Sequence, residues 1–219
     1  MDCTLAESQT IADSKRAFHQ AFPHVIAPLY RRLADELLVE LHLLSHQSRF
    51  EATGLFSVGL CTVFDTFTQG YRPNEQTDAL LAALCSSNGF DAAAHRATAS
   101  TLLNEAKGHS VDGIDAWIGS QNLADGAHYS RLMAVGLLSV LQAARGEAKE
   151  PDNEALRGRC KTLAETLALP ADRVEKDLSL FAANSERMTQ AVELVAETIA
   201  AEKRKKERRL AEQAQSEAN

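Results

Sequence analysis

From Val174 to Ile199 apolar side chains recur in steps that alternate between four and three residues. The set is Val174, Leu178, Phe181, Met188, Val192, Val195 and Ile199, with Ser185 as the only polar interruption. A strand would show alternation every second residue. A repeat averaging 3.5 residues is a helix with one apolar seam, of the kind found in coiled coils. Beyond Ile199 the seam fails and the chain becomes almost wholly charged, with no proline or glycine to stop the helix. A helix running from near Pro170 to Glu212 would hold about 43 residues and extend about 65 Å. Part of it must pack on a body, and part must project.

The rest of the chain has the same helical period, and no segment alternates over a strand's length. Five prolines and eleven glycines in 219 residues, with abundant Ala and Leu, favour helix over sheet. A first helix is predicted to open at Asp13 or Ser14 and stop before Pro23, because a proline disfavours α conformation in the residue before it. A second runs from Pro28, which is tolerated in a first turn, to Ser45. TGLFSVGLCTVFDTFTQ forms a third, closed by Gly70, and a fourth starts near Asn74 and ends at Asn88–Gly89. DAAAHRATASTLLNEAK is a fifth, followed by a short helix around Val111–Ile118 and by HYSRLMAVGLLSVLQAA. One more lies near residues 153–168, before the long terminal helix. The expected fold is all-α: a single helical bundle domain of about eight or nine helices with a long, heptad-patterned C-terminal helix. Residues 1–12 form a flexible N-terminus. Residues 13–199 form the helical domain, with a polar linker GEAKEPD at 146–152, and residues 200–219 form a charged helical extension and tail.

Several function classes are disfavoured by what the sequence contains. The longest apolar window, LMAVGLLSVLQAA, has thirteen residues and includes Gln142. It falls short of the roughly 18 needed to cross a bilayer. The N-terminus has no basic stretch followed by an apolar one, so no secretory leader is expected and the protein is read as soluble. Cys3, Cys61, Cys85 and Cys160 stand far apart without a CxxC pair, which suits buried thiols in a reducing compartment. The net charge of −7 is uneven: residues 200–213 hold six basic and three acidic side chains, leaving 17 basic and 27 acidic elsewhere. The basic run Lys203, Arg204, Lys205, Lys206, Arg208 and Arg209 has two readings: a solvated charged helix with local Glu–Lys pairing, or an arm that docks on an acidic partner or an anionic membrane. Nucleic acid is not expected, because no aromatic residues interleave with the basic run.

YRRLADELLVELHLLSHQSRF, residues 30–50, places two carboxylates and two imidazoles on one amphipathic helix, as a metal or acid–base site would. At 100° per residue, however, Glu36 and Glu40 flank one edge of the leucine stripe. Asp35, His42 and His46 fall on the opposite, solvated face. Neither glutamate has His three residues later, and HLLSH lacks the internal Glu of HExxH. Arg32 and Glu36, four residues apart, can pair on the surface, whereas Glu40 borders the core and needs an arginine or backbone donor. Ser130, two residues after His128, sits in no GxSxG turn. Gly54 and Gly59 in GLFSVGL lack the Lys-Ser/Thr ending of a phosphate loop and suit close helix packing. Asp112 and Asp115 fit a helix start, and Trp117 fits a core or an interface better than a cofactor platform. The residues support no catalytic set, no metal and no cofactor.

SKRAFHQAF, YRRLADELLVELHLL, TVFDTFTQGYRP, LAALCSSNGF, HYSRLMAVGLL and RVEKDLSLFAANSERMTQA resemble, in order, the blocks of the thylakoid formation protein family across about residues 11–210. AHRATASTLL and GHSVDGIDAW follow that pattern loosely, and Asn74-Glu75-Gln76 stands where the family more usually carries acidic residues. The resemblance implies an all-helical, non-enzymatic factor in thylakoid biogenesis and in photosystem II biogenesis and repair. It implies action with, and maintenance of, FtsH-type membrane proteases, and association with photosystem II assembly intermediates. A cytoplasmic location, peripheral to the cytoplasmic face of the thylakoid membrane, goes with it. The missing plastid transit peptide points to a cyanobacterial member. Two alternatives stand beside this reading. One is a lipid-surface or general assembly protein without a protease partner, and the other is a helical metalloprotein or enzyme using Glu36 and Glu40.

Overall fold

A central pair of helices, α3 (Gly54–Phe67) and α7 (Arg131–Arg145), organises the chain. Both are apolar on nearly every side: Leu55, Phe56, Val58, Leu60 and Phe64 of α3 are buried, as are Leu132, Met133, Leu137, Val140 and Leu141 of α7. A helix that is hydrophobic all round belongs at the middle of a bundle. The crossing is close because two glycines meet there. A Cβ on Gly59 would overlap the Leu132 carbonyl, and one on Gly136 would overlap the Leu55 carbonyl. The thirteen-residue apolar window is therefore a core helix, and among the described residues no helix is long and apolar enough to cross a membrane.

The computed structural model describes residues 9–109, 113–120, 128–145 and 153–217, with side chains as far as Leu210. Nine α-helices and one 3-10 turn are found among them, with no strand. The expected all-α fold, with its long terminal helix, is what the structure contains. The N-terminal residues 1–8 with Cys3, the start of the short helix at Val111 and Asp112, and the linker at 146–152 lie outside the described residues.

Around the central pair, α5 (Ala92–Lys107) packs on α3 and α7, and α1 (Ile11–Ala21), α2 (Pro28–Ser45) and α4 (Thr77–Ser86) pack on one another. On the other flank α8 (Asn153–Thr166) joins α7 to α9 (Ala171–Glu217), and the short α6 (Ile114–Gly119) rests against α8. Local chemistry sets the boundaries. Thr10 and Asp13 form a reciprocal capping box, so α1 opens at Ile11 rather than at Asp13 or Ser14. The acid expected to cap the helix from outside acts from its first turn instead. Asp91 caps α5 by accepting from the amides of Ala93 and Ala94. Asn74–Gln76 is a separate 3-10 turn ahead of α4. After α3 the chain reverses through Gly70, whose φ of 74° suits glycine.

The terminal helix has 47 residues, about 70 Å at 1.5 Å each. Its seam changes character along its length. Val174, Leu178 and Met188 are buried, and Phe181 meets Phe67 edge to face at 5.9 Å. Val192 is partly buried, lying where a side chain on Gly70 would have to go. From Glu193 to Leu210 every side chain is exposed, including the seam residues Val195 and Ile199 and the neighbouring Leu194. The repeat is used within the chain for its first part and is unpartnered beyond that.

Candidate functional site

The four residues His128–Arg131, at the entrance to α7, connect three parts of the molecule. The His128 amide donates to the Arg49 carbonyl at 2.9 Å. Tyr129 donates its hydroxyl to Asp177 of α9 at 2.7 Å, and the Arg173 guanidinium lies over the tyrosine ring, 5.3 Å from its centre. Ser130 donates to Glu40 of α2 at 3.0 Å while accepting from the Leu132 amide, which caps α7. Arg131 reaches the same glutamate through Nε at 2.6 Å and Glu36 at 3.8 Å. Glu36 also takes Arg32 at 2.7 Å. One polar cluster thus fixes α2, α7 and α9 to each other.

Burial decides how these groups behave. The Glu40 side chain is only 14% exposed, whereas Arg32 is 86% exposed. Each oxygen of the Glu40 carboxylate accepts one hydrogen bond, Oε1 from Ser130 and Oε2 from Arg131. Burial, followed by the Asp177 carboxylate, pushes the Tyr129 phenol well above its ordinary range, so the hydroxyl stays protonated and donates. Ser130 has both its hydrogen-bonding roles filled, which leaves it without the features of an activated nucleophile. Among the described residues no group of three or more His, Cys, Asp and Glu side chains could hold a metal ion.

Arg32, Glu36 and Glu40, singled out from the sequence, lie together in this cluster. Arg131, Tyr129 and Asp177 had no signal in local spacing; Arg131 is 91 residues from Glu40 in the chain. His42 departs from its expected place on the solvated face. The packing of α1 over α2 brings the buried Ser14 hydroxyl to 2.9 Å from its Nδ1. Burial, and then His46, hold the His42 pKa below the usual imidazole value. A second imidazole, His95, is buried between α3 and α5 with Ser57 at 2.8 Å from its Nδ1. Cys61, Cys85 and Cys160 are free and buried, and burial pushes the Cys85 and Cys160 thiols up to about 12. Asp115, expected at a helix start, is in the first turn of α6 and pairs with Arg159 at 2.7 Å.

Beside the cluster, α2 and α9 face each other across a cavity of about 330 Å³ floored by α3 and α7. Leu29 and Leu33 line one bank, Phe181 and Met188 the other, and Phe67 and Val135 lie between. Lys203, Arg204, Lys205, Lys206, Arg208 and Arg209 are elsewhere, on the exposed outer part of α9. At 100° per residue they encircle the helix instead of forming a stripe.

An all-α body built on a glycine-mediated helix crossing, with one helix carried far beyond its core, is the structural class to which this chain belongs. Residues 10–210 match the thylakoid formation protein family, and the chain belongs to that family. It is 72% identical over 211 residues to Protein Thf1 of Synechococcus sp. (strain CC9605), covering 96% of this chain and 98% of the relative. It is 47% identical to Protein Thf1 of Prochlorococcus marinus (strain MIT 9313), covering 93% of this chain and 89% of that one. A solved structure of Psb29 superposes with a TM-score of 0.81 at 32% identity, covering 90% of this chain and 98% of that chain.

Proposed function

We propose that this protein is a non-enzymatic factor in thylakoid membrane biogenesis and in the biogenesis and repair of photosystem II. In this role it acts with FtsH-type membrane proteases, helps to maintain them and meets photosystem II assembly intermediates. It works at the cytoplasmic face of the thylakoid membrane as a peripheral protein. The observation that supports this most is the family match over residues 10–210, nearly the whole chain. The polar cluster agrees with it, since the carboxylates that could have begun an active site are tied up in helix-to-helix contacts. The exposed basic segment of α9 supplies attraction for an anionic surface.

A tagged chain recovered from detergent-solubilised thylakoids should bring down an FtsH-type protease. Cells lacking the chain should hold less of that protease and recover photosystem II activity slowly after strong light. Unchanged protease levels together with no co-purification would remove the protease from this reading. They would leave a lipid-surface assembly protein, the second reading that the basic arm favours.

A further inference from the structure

We propose that the cleft between α2 and α9 is a binding site for a single-chain amphiphile with a carboxylate head, such as a medium- or long-chain fatty acid. Its dimensions select the occupant. The α9 bank runs from Asp177 to Ala191, fourteen residue steps or about 21 Å. A cavity of about 330 Å³ drawn out over that length is long and thin, the shape of one extended hydrocarbon chain. The walls and floor are aliphatic and aromatic, as in sites that hold a chain by excluding water from it.

The rim selects the head group. Arg32 and Arg131 are engaged by Glu36 and Glu40, and Asp177 by the Tyr129 hydroxyl. Arg187 is different: this exposed rim guanidinium has no hydrogen bond or ion pair among the described residues. Asn184, three residues earlier on the same face of α9, also lines the cleft. A planar fork of donors beside an amide matches a carboxylate, which can accept two parallel hydrogen bonds from arginine. The head of the ligand sits at the Arg187–Asn184 bank, and its chain lies between Leu33 and Phe181.

The test uses the full chain with dodecanoic acid, below its aggregation concentration, and with dodecan-1-ol as the uncharged probe, followed by calorimetric titration. The wild-type chain should bind about one equivalent of each by filling the single cleft. Arg187→Ala should weaken dodecanoate about tenfold, the effect of losing a hydrogen bond to a charged group, and leave dodecanol within about twofold. Ala191→Trp and, separately, Leu180→Trp fill the slot from its rim and should abolish binding of both probes, while helicity and melting temperature of the free chain stay unchanged. Two tryptophan variants are used so that misfolding of one leaves the other to decide. Absence of saturable binding by the wild type, or wild-type binding in a folded tryptophan variant, overturns the proposal. An equal loss of acid and alcohol in Arg187→Ala overturns the carboxylate assignment. A chain that runs as a dimer in solution and takes up no dodecanoate assigns the cleft to a second copy and also overturns it.

Discussion

Glu40 shows at the scale of one residue how the cluster is held. Its carboxylate accepts from Arg131 and Ser130 with only 14% of the side chain exposed, while Arg131 remains 43% exposed and can be hydrated if its partner is lost. Glu40→Ala should therefore cost about 1–2 kcal/mol, between the values for an exposed pair and for a sealed one, as read from urea unfolding. Membrane and partner binding by the folded variant should be unchanged; their loss at undiminished stability would give Glu40 a direct binding role. His95 governs a pH dependence. Burial holds its pKa below 6.5, and His42 is shifted in the same direction. Below about pH 6.5 the unfolded chain takes up protons that the folded one refuses, so stability is full above that pH and falls as pH drops toward the folded values. The urea midpoint should decline between about pH 7 and pH 5. His95→Gln, which keeps an amide near Ser57 but cannot titrate, should flatten the decline. An unaltered slope would assign the dependence to other groups. The need of Glu40 for a donor could be read from the helical wheel, because a charge beside a leucine stripe must be paired. Its donor could not, since no local period connects residue 40 to residue 131. The misplacement of His42 has a similar cause: one helix's wheel cannot show that another helix covers its polar side.

Among the elements, the α3–α7 crossing has the least tolerance. Gly59 and Gly136 put backbone against backbone, with each hypothetical Cβ overlapping a carbonyl of the other helix. Gly136→Ala must push the two helices apart through the middle of the core. The cost should exceed about 3 kcal/mol, at the upper end of overpacking penalties, despite alanine's better helix propensity. Gly158→Ala on α8, where an added Cβ meets nothing within 4 Å, is the matched control and should be neutral or slightly stabilising. Thermal unfolding of the two variants decides this, and a Gly136→Ala chain as stable as the control would mean that the crossing can relax. The suitability of GLFSVGL for close packing was visible in the sequence, but its partner glycine, 77 residues later, was not. For α9 the heptad seam indicated one long helix with one buried edge. Where burial ends was invisible to the pattern, because Val192 and Val195 both lie on the apolar seam. The difference is made by Gly70, whose turn receives Val192 and leaves nothing for Val195 to meet.

For the whole molecule the question is what the projecting part of α9 does. From Glu193 to Glu217 the helix adds about 37 Å beyond its last packed residue, Val192, and its basic side chains point in all directions around the axis. The charge split between body and arm, legible from composition, acquires this geometry only once the body is seen to end at Val192. A ring of charge can settle on an anionic surface in any rotation, so it would supply attraction without orientation, and we propose that the partner-specific contact belongs to the body. Each basic residue near such a surface contributes about 1 kcal/mol. With Glu202, Glu207 and Glu212 offsetting half of the six, the net gain is roughly a hundredfold in partitioning at low salt. Near physiological ionic strength the Debye length falls to about 8 Å and most of that gain disappears. Replacing Lys203, Arg204, Lys205, Lys206, Arg208 and Arg209 by Glu should thus reduce recovery on vesicles containing anionic lipid at low salt. The difference from wild type should close as salt is added. The melting temperature should move little, because residues 201–210 are all exposed on the helix. Co-purification with the protease, if it depends on the body, should survive the substitution in detergent, where the lipid surface is gone. Undiminished vesicle binding by the reversed chain would transfer the membrane contact from the arm to the body.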